Sequence, residues 1–146
     1  MPLEWREPMR IGHSSIDADH RHLIDIINRF EASPDLAHTE QVARDLLEHA
    51  NNHFSREEVI QKLSGYPLCT LHQIAHQELL GKLKGLIRTF FVEQRSRDPE
   101  VVVAVMRDLI RDWFIGHVIE MDIKMRPFIA RLPKAVLEGD RTMETT

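Results

Sequence analysis

The sequence predicts an all-α protein, an up-down-up-down four-helix bundle with an N-terminal arm and a short C-terminal helix. Three observations carry this. Apolar residues recur at spacings of three and four in four successive segments, the pattern of helices that bury one face. Brief breaks at Ser33-Pro34, Gly65-Tyr66-Pro67 and Asp98-Pro99 separate them, short enough to reverse the chain between neighbours. A length of 146 residues with 42% hydrophobic content closes one core, so residues 1–146 read as a single domain.

Residues 1–15 hold Pro2, Pro8 and Gly12 among isolated apolar residues (Leu3, Trp5, Met9, Ile11), which reads as an ordered arm that Trp5 packs down. The first helix runs from Ile16 to the Ser33-Pro34 stop, with Leu23, Ile26, Ile27 and Phe30 as its stripe. Ser14 or Ser15 can cap it, Asp17 and Asp19 suit the positive end of its dipole, and His20 can face inward one turn before Leu23. The second is expected from about Thr39 to Leu63, with Val42, Leu46, His49, His53, Glu57 and Ile60 along one side. The third is expected from about Leu68 to Phe91, carrying His72, His76, Leu79, Leu83, Leu86 and Ile87. Gly81 and Gly85 lower its helical propensity, as if to admit a neighbouring helix closely.

The fourth helix starts with Asp98 as cap and Pro99 at its first position, and its stripe of Val102, Val105, Met106, Leu109, Ile110 and Trp113 leads to His117. Asp122 follows five residues later. In a regular helix that spacing leaves the two on different faces, so the helix must bulge, tighten or end between them, with Gly116 and Pro127 favouring an irregularity. Residues 128–137 suggest a short extra helix and residues 138–146 a solvated, flexible tail.

Composition narrows the functions. The net charge of −4, with 29% charged residues of both signs, offers no basic footprint for nucleic acid or an anionic membrane. Cys69 is the only cysteine, which rules out an internal disulfide, fits a reducing compartment and reads as a small buried residue at a helix start. With no apolar run of about 18 residues and no apolar signal core in PLEWREPMR, the expected location is the cytoplasm. What composition leaves to be explained is nine histidines.

Position explains them. Residues four apart on a helix share a face, so His53 with Glu57 and His72 with His76 can point into one gap across the Gly65-Tyr66-Pro67 break. Every helix offers an inward ligand type: His20, then His53 and Glu57, then His72 and His76, then His117 and Asp122. Ionisable groups in a core-facing stripe cost several kcal/mol unless paired, hydrated or bound to metal. Five imidazoles and two carboxylates exceed one structural zinc site, which needs four ligands and favours cysteine; two ions fit better.

Read in order as His, His-x3-Glu, His-x3-His and His-x4-Asp, the set resembles the ligand signature of the hemerythrin family, and the chain looks like a bacterial member. Ile16-Asp17 before His20, HFSREE from His53, Gly-Tyr-Pro before His72, Trp113 four residues before His117, and Trp5 and Gly12 in the arm extend the likeness over residues 5–129. The resemblance implies two iron ions in an oxo- or hydroxo-bridged di-iron centre. His72, His76 and His117 would hold one, His20 and His53 the other, and Glu57 and Asp122 would bridge them. The second ion would keep one open position, where dioxygen binds reversibly, so the implied role is oxygen storage, delivery or sensing rather than catalysis. Leu23, Phe54, Trp113 and Val118 match the family's apolar oxygen pocket, although each also suits ordinary core packing.

Oxygen-activating di-iron bundles use four carboxylates and two Glu-x2-His motifs. Here no Glu lies three residues before any histidine. A di-iron redox enzyme acting on peroxide or nitric oxide, or an iron reservoir, would use the same ligands and stands as the alternative. The chain leaves no room for an attached output module, so sensing would need a separate redox or signalling protein.

Some positions depart from the family pattern. His49 stands where a tyrosine is common, and either hydrogen-bonds near the site or lines an access path. Asp19 replaces a frequent glutamine, Ala75 a frequent glutamate and Val118 a larger isoleucine; the first two positions can tune the basicity of neighbouring ligands. His13, His22 and His38 read as exposed or capping side chains.

Overall fold

The structure is a computed structural model and describes residues 3–32 and 35–137. Four long helices, α1 (Ser14–Glu31), α2 (Leu36–Ser64), α3 (Cys69–Ile87) and α4 (Pro99–Phe114), form the expected bundle. Helix α1 packs on α2 and α4, and α2 packs on α3. A single π turn (Arg88–Val92) extends α3, and a π segment (Ile115–Met121) followed by a 3-10 turn (Asp122–Met125) extends α4.

The arm is ordered, as its sequence suggests. A 3-10 turn forms at Glu7–Met9, and Leu3 exchanges two backbone hydrogen bonds with the Asn28 side chain, at 2.9 and 3.0 Å. Trp5 packs against the main core with the Arg21 guanidinium 4.7 Å above its ring. Gly12, at φ 99°, turns the chain so that the buried Asp17 carboxylate accepts from Ile11 N–H at 2.7 Å and Gly12 N–H at 3.2 Å.

Helix ends follow their capping chemistry, with two corrections. The cap of α1 is His13, whose side chain accepts from Ile16 N–H, so neither Ser14 nor Ser15 takes that place; His13 caps, but from a buried position. The Ser33-Pro34 stop lies outside the described residues. Helix α2 begins ahead of Thr39 because the Asp35 carboxylate accepts from His38 N–H at 2.8 Å. It ends at Gly65, whose φ of 70° is the left-handed conformation that glycine accepts freely. Asp98 caps α4 as expected, accepting from Glu100 N–H at 3.0 Å.

Other expectations fail for definite reasons. A methyl group added at Gly81 or Gly85 would meet nothing within 4 Å, so these glycines face solvent and admit no neighbour. Val105 is 41% exposed, because Val102, Met106 and Ile110 fix the buried line of α4 one turn apart. Cys69 is only half-buried at the first position of α3. The extra helix at residues 128–137 is instead two single turns, α5 (Arg126–Ile129) and α6 (Lys134–Leu137), interrupted before Pro133. The proposed tail, residues 138–146, lies outside the described residues.

The core is divided by a polar layer. At one end Leu23, Ile27, Phe30, Val42, Leu46, Leu83, Val102 and Met106 pack together. At the other, Ile11, Ile16, Ile60, Tyr66, Met125 and Ile129 do the same. Full burial of such a side chain stabilises by about 1.5–3 kcal/mol, so two apolar blocks clamp whatever lies between. His20 sits between Ile16 and Leu23 on α1, and His53 and Glu57 between Leu46 and Ile60 on α2. No described helix is long and apolar enough to cross a membrane.

Candidate metal centre

Each helix delivers its ligand types to the middle of that layer. On α2 and α3 the four-residue spacing of His53 and Glu57, and of His72 and His76, puts each pair on one face. On α4 regular geometry fails between His117 and Asp122, and the π segment supplies the remedy: its i to i+5 hydrogen bonding makes residues five apart neighbours across one turn. All seven side chains are between 0 and 4% exposed.

Their ligand atoms fall into two groups. Glu57, His72, His76 and His117 form one, and His20, His53, Glu57 and Asp122 the other, each within 4.8 Å. Glu57 serves both: Oε1 lies 2.9 Å from His72 Nε2 and 3.3 Å from His76 Nε2, while Oε2 lies 3.0 Å from His53 Nε2. Asp122 does likewise, with Oδ1 at 2.6 Å from His72 Nε2 and 3.0 Å from His117 Nε2, and Oδ2 at 3.0 Å from His20 Nε2. Both carboxylates therefore span the two groups, one oxygen to each.

These contacts fit cations better than they fit one another. Both oxygens of Glu57, and Oδ2 of Asp122, are buried and make no properly directed hydrogen bond despite the short distances. The Nε2 atoms of His72 and His76 each lie 3.0 Å from His117 Nε2. Two imidazole nitrogens bound at right angles to one ion at about 2.1 Å would stand about 3.0 Å apart.

Without a cation, imidazoles and carboxylates charge each other. Burial opposes a charge on His20, but the facing carboxylates of Asp122 and Glu57 outweigh it and raise its pKa to about 9. Burial likewise works against His117, and the field of Asp122 overcomes it, to about 10. Burial alone would raise Glu57 and Asp122, yet Glu57 is carried well below its ordinary value by the imidazoles of His117, His20, His53 and His72 that face it. Asp122 is carried down by the charge and hydrogen bond of His117. His76 goes the other way, lowered chiefly by burial.

Of the four apolar residues, Phe54 and Trp113 stack on histidines of this centre, and Leu23 and Val118 belong to the neighbouring core. Leu23, Phe54 and Val118 are buried, and the half-buried Trp113 packs on both the Leu23-Val118 cluster and the Phe54 cluster. Phe54 stacks flat on His76 with ring centres 3.8 Å apart, and Trp113 stacks on His117 at 5.2 Å. These two aromatic rings thus cover the three-histidine group.

Residues 12–129 match the family model described as the hemerythrin HHE cation binding domain. The chain belongs to the hemerythrin family. It is 24% identical over 119 residues to a bacteriohemerythrin of Stenotrophomonas maltophilia, covering 80% of this chain and 74% of that one. It is 29% identical over 128 residues to a myohemerythrin of Sipunculus nudus, covering 86% and 92%. A crystal structure of wild-type hemerythrin superposes with a TM-score of 0.75 at 19% identity, covering 89% of this chain and 99% of that one.

Around the candidate ligands of this hemerythrin chain lie further polar contacts. Asp19 Oδ2 lies 2.9 Å from His53 Nδ1, and Arg56 donates to both Asp19 oxygens, at 2.9 and 2.7 Å. Burial alone would raise Asp19, but hydrogen bonds from His53 and Arg56 prevail and lower its pKa to about 2. Glu58 Oε1 on α2 stands 3.5 Å from His76 Nδ1, near it but without a directed hydrogen bond. Sequence reasoning missed Arg56 and Glu58, although both lie in the HFSREE motif. Ala75 helps open a groove of about 350 Å³ between α3 and α4, also lined by Leu79, Trp113, Gly116, His117 and Met121. His49 lies beside the site, its Nε2 3.2 Å from the Asp19 carbonyl; burial lowers its pKa to about 4. His22 and His38 are exposed.

Proposed function

We propose that this chain is a non-haem di-iron protein that binds dioxygen reversibly, for its storage, delivery or sensing in the cytoplasm. The supporting observation is the division of Glu57 and Asp122 between two histidine groups, one oxygen to each. His72, His76 and His117 would hold one ion, and His20 and His53 the other. With Asp122 as well as Glu57 counted in both groups, the second ion would have one protein ligand fewer, which would leave it a position for a small ligand. Two ferrous ions there would supply the electrons that dioxygen takes up on binding.

The remaining work falls to the protein. Glu57 and Asp122 stay ionised in a dry interior and offset the charge of two cations. Leu23, Phe54, Trp113 and Val118 keep water and its protons away, which favours release of the ligand unchanged. His53 is oriented by Asp19, so its Nε2 faces inward.

The test is the visible spectrum of the oxygen-free ferrous protein before air, after air and under vacuum. A charge-transfer band that comes and goes reversibly supports carriage. Irreversible bleaching, or fewer than two irons bound under iron-replete conditions, overturns the proposal. A second reading, a redox enzyme acting on peroxide or nitric oxide, draws on the groove beside His117 and Trp113, which gives a second substrate a way in. Peroxide turnover in the same samples would favour it. Neither reading calls for nucleic acid or a membrane; sensing calls for a separate protein partner.

A further inference from the structure

Outside the centre, one pair of imidazoles repeats its geometry. His22 on α1 and His49 on α2 have ring centres 4.5 Å apart at 69° to each other. Inside the centre, His20 and His53 stand 4.9 Å apart at 67°, His72 and His117 4.6 Å at 83°, and His72 and His76 4.8 Å at 60°. The outer pair therefore has the ring spacing and tilt of the pairs inside the centre. Its hydrogen bonding agrees. His49 Nε2 is engaged with the Asp19 carbonyl at 3.2 Å, which leaves Nδ1 as a bare lone pair. Bound imidazoles usually have this arrangement, one nitrogen to the metal and the other N–H to a carbonyl or carboxylate. His22 is exposed and His49 half-buried, so solvent can reach the pair and fill the remaining coordination positions.

The pair also leads inward. The His49 ring is nearly parallel to that of His53, 6.3 Å away, and His53 is followed by His20 at 4.9 Å. Four imidazoles thus step from solvent to the two-histidine half of the centre along the α1–α2 interface. We propose that His22 and His49 form a third metal site, which takes a first-row divalent ion from solution and passes it inward to His53 and His20. Imidazole suits such ions, and two imidazoles with water ligands hold them loosely enough to release them. The destination rests on the function proposed above; the outer site does not.

Two measurements on the full chain test this. Protein whose inner sites are filled with ferric iron is titrated with Cu²⁺ and followed by electron paramagnetic resonance. One additional equivalent with a two-nitrogen splitting pattern is expected, lost in His22→Asn and in His49→Phe and kept in His38→Asn. Metal-free protein is then mixed with Fe²⁺ without oxygen. His22→Asn is expected to slow uptake several-fold while final iron content stays at the wild-type value. Copper binding that is unchanged in both variants, or an uptake rate that is unchanged in both, overturns the proposal. Failure of the inner centre reads differently: wild-type iron content itself falls short, whatever His22 does to copper.

Discussion

The Asp19 carboxylate is held between two side chains of α2, with His53 Nδ1 at 2.9 Å on one oxygen and Arg56 reaching both oxygens. This would fix the tautomer of metal-bound His53: Nδ1–H donates to Asp19, leaving the Nε2 lone pair, 3.0 Å from Glu57, for the ion. Removing such a partner typically costs roughly 10–100-fold in metal affinity. Asp19→Ala is expected to weaken the His20-His53 half by that much and to spare the three-histidine half. Chelator competition, reading the two equivalents separately, checks it; equal weakening of both halves would refute the assignment.

The sharing of Glu57 predicts an asymmetry among ligand variants. Glu57 contributes an oxygen to each group, whereas His20 belongs to one. Glu57→Gln is therefore expected to bring iron content below one equivalent, and His20→Ala to leave close to one. Metal analysis of the purified variants decides the matter.

The pH dependence of the metal-free chain follows from its raised imidazoles. His20 and His117 have folded-state pKa values of about 9 and about 10 against an ordinary 6.5. A raised pKa contributes stability that is complete below 6.5 and disappears as pH climbs through the folded values. Urea midpoints of metal-free protein should fall between pH 7 and 10, and metal-loaded protein should lack this decline. At pH 7 both groups hold protons that a metal must displace, so iron uptake in weak buffer should release acid.

Ligand types were legible in the sequence because helical spacing is rigid: residues four apart must share a face, whatever surrounds them. The five-residue step from His117 to Asp122 showed that regularity fails there. That it fails as a π segment depends on where the other helices hold their ligands, which local sequence does not record. Arg56 and Glu58 were passed over because charged residues flanking a buried Glu57 look the same as a solvated face. Asp19 was legible only as a position near the site, since its partners lie 34 and 37 residues away. The orientation of the α3 glycines is not legible in the sequence, because low propensity shows that a residue is weak, not which way it faces.

Gly81 and Gly85 are helical, exposed and free of contacts within 4 Å of an added methyl group. Glycine in such a position is worse than alanine by up to about 1 kcal/mol. Gly81→Ala and Gly85→Ala should each raise the urea midpoint without altering iron content, and together their effects should add. A drop in stability would mean that something unseen packs on this face.

Phe54 joins the apolar packing to the metal chemistry. Its ring lies flat on His76 at 3.8 Å and meets the edge of Trp113 at 5.5 Å, so it both fills the core and shields a ligand. Truncating a buried phenylalanine costs about 3–5 kcal/mol, and Phe54→Ala should lower the melting temperature accordingly. Shielding makes a separate demand. With the ring gone, water reaches His76 and the centre, so irreversible oxidation of air-exposed ferrous protein should accelerate. Phe54→Leu keeps much of the volume and loses the stacking face, and so separates the two roles. If leucine restores stability and the wild-type oxidation rate together, Phe54 acts through bulk alone; if stability returns while oxidation stays fast, the flat ring over His76 is what keeps water out.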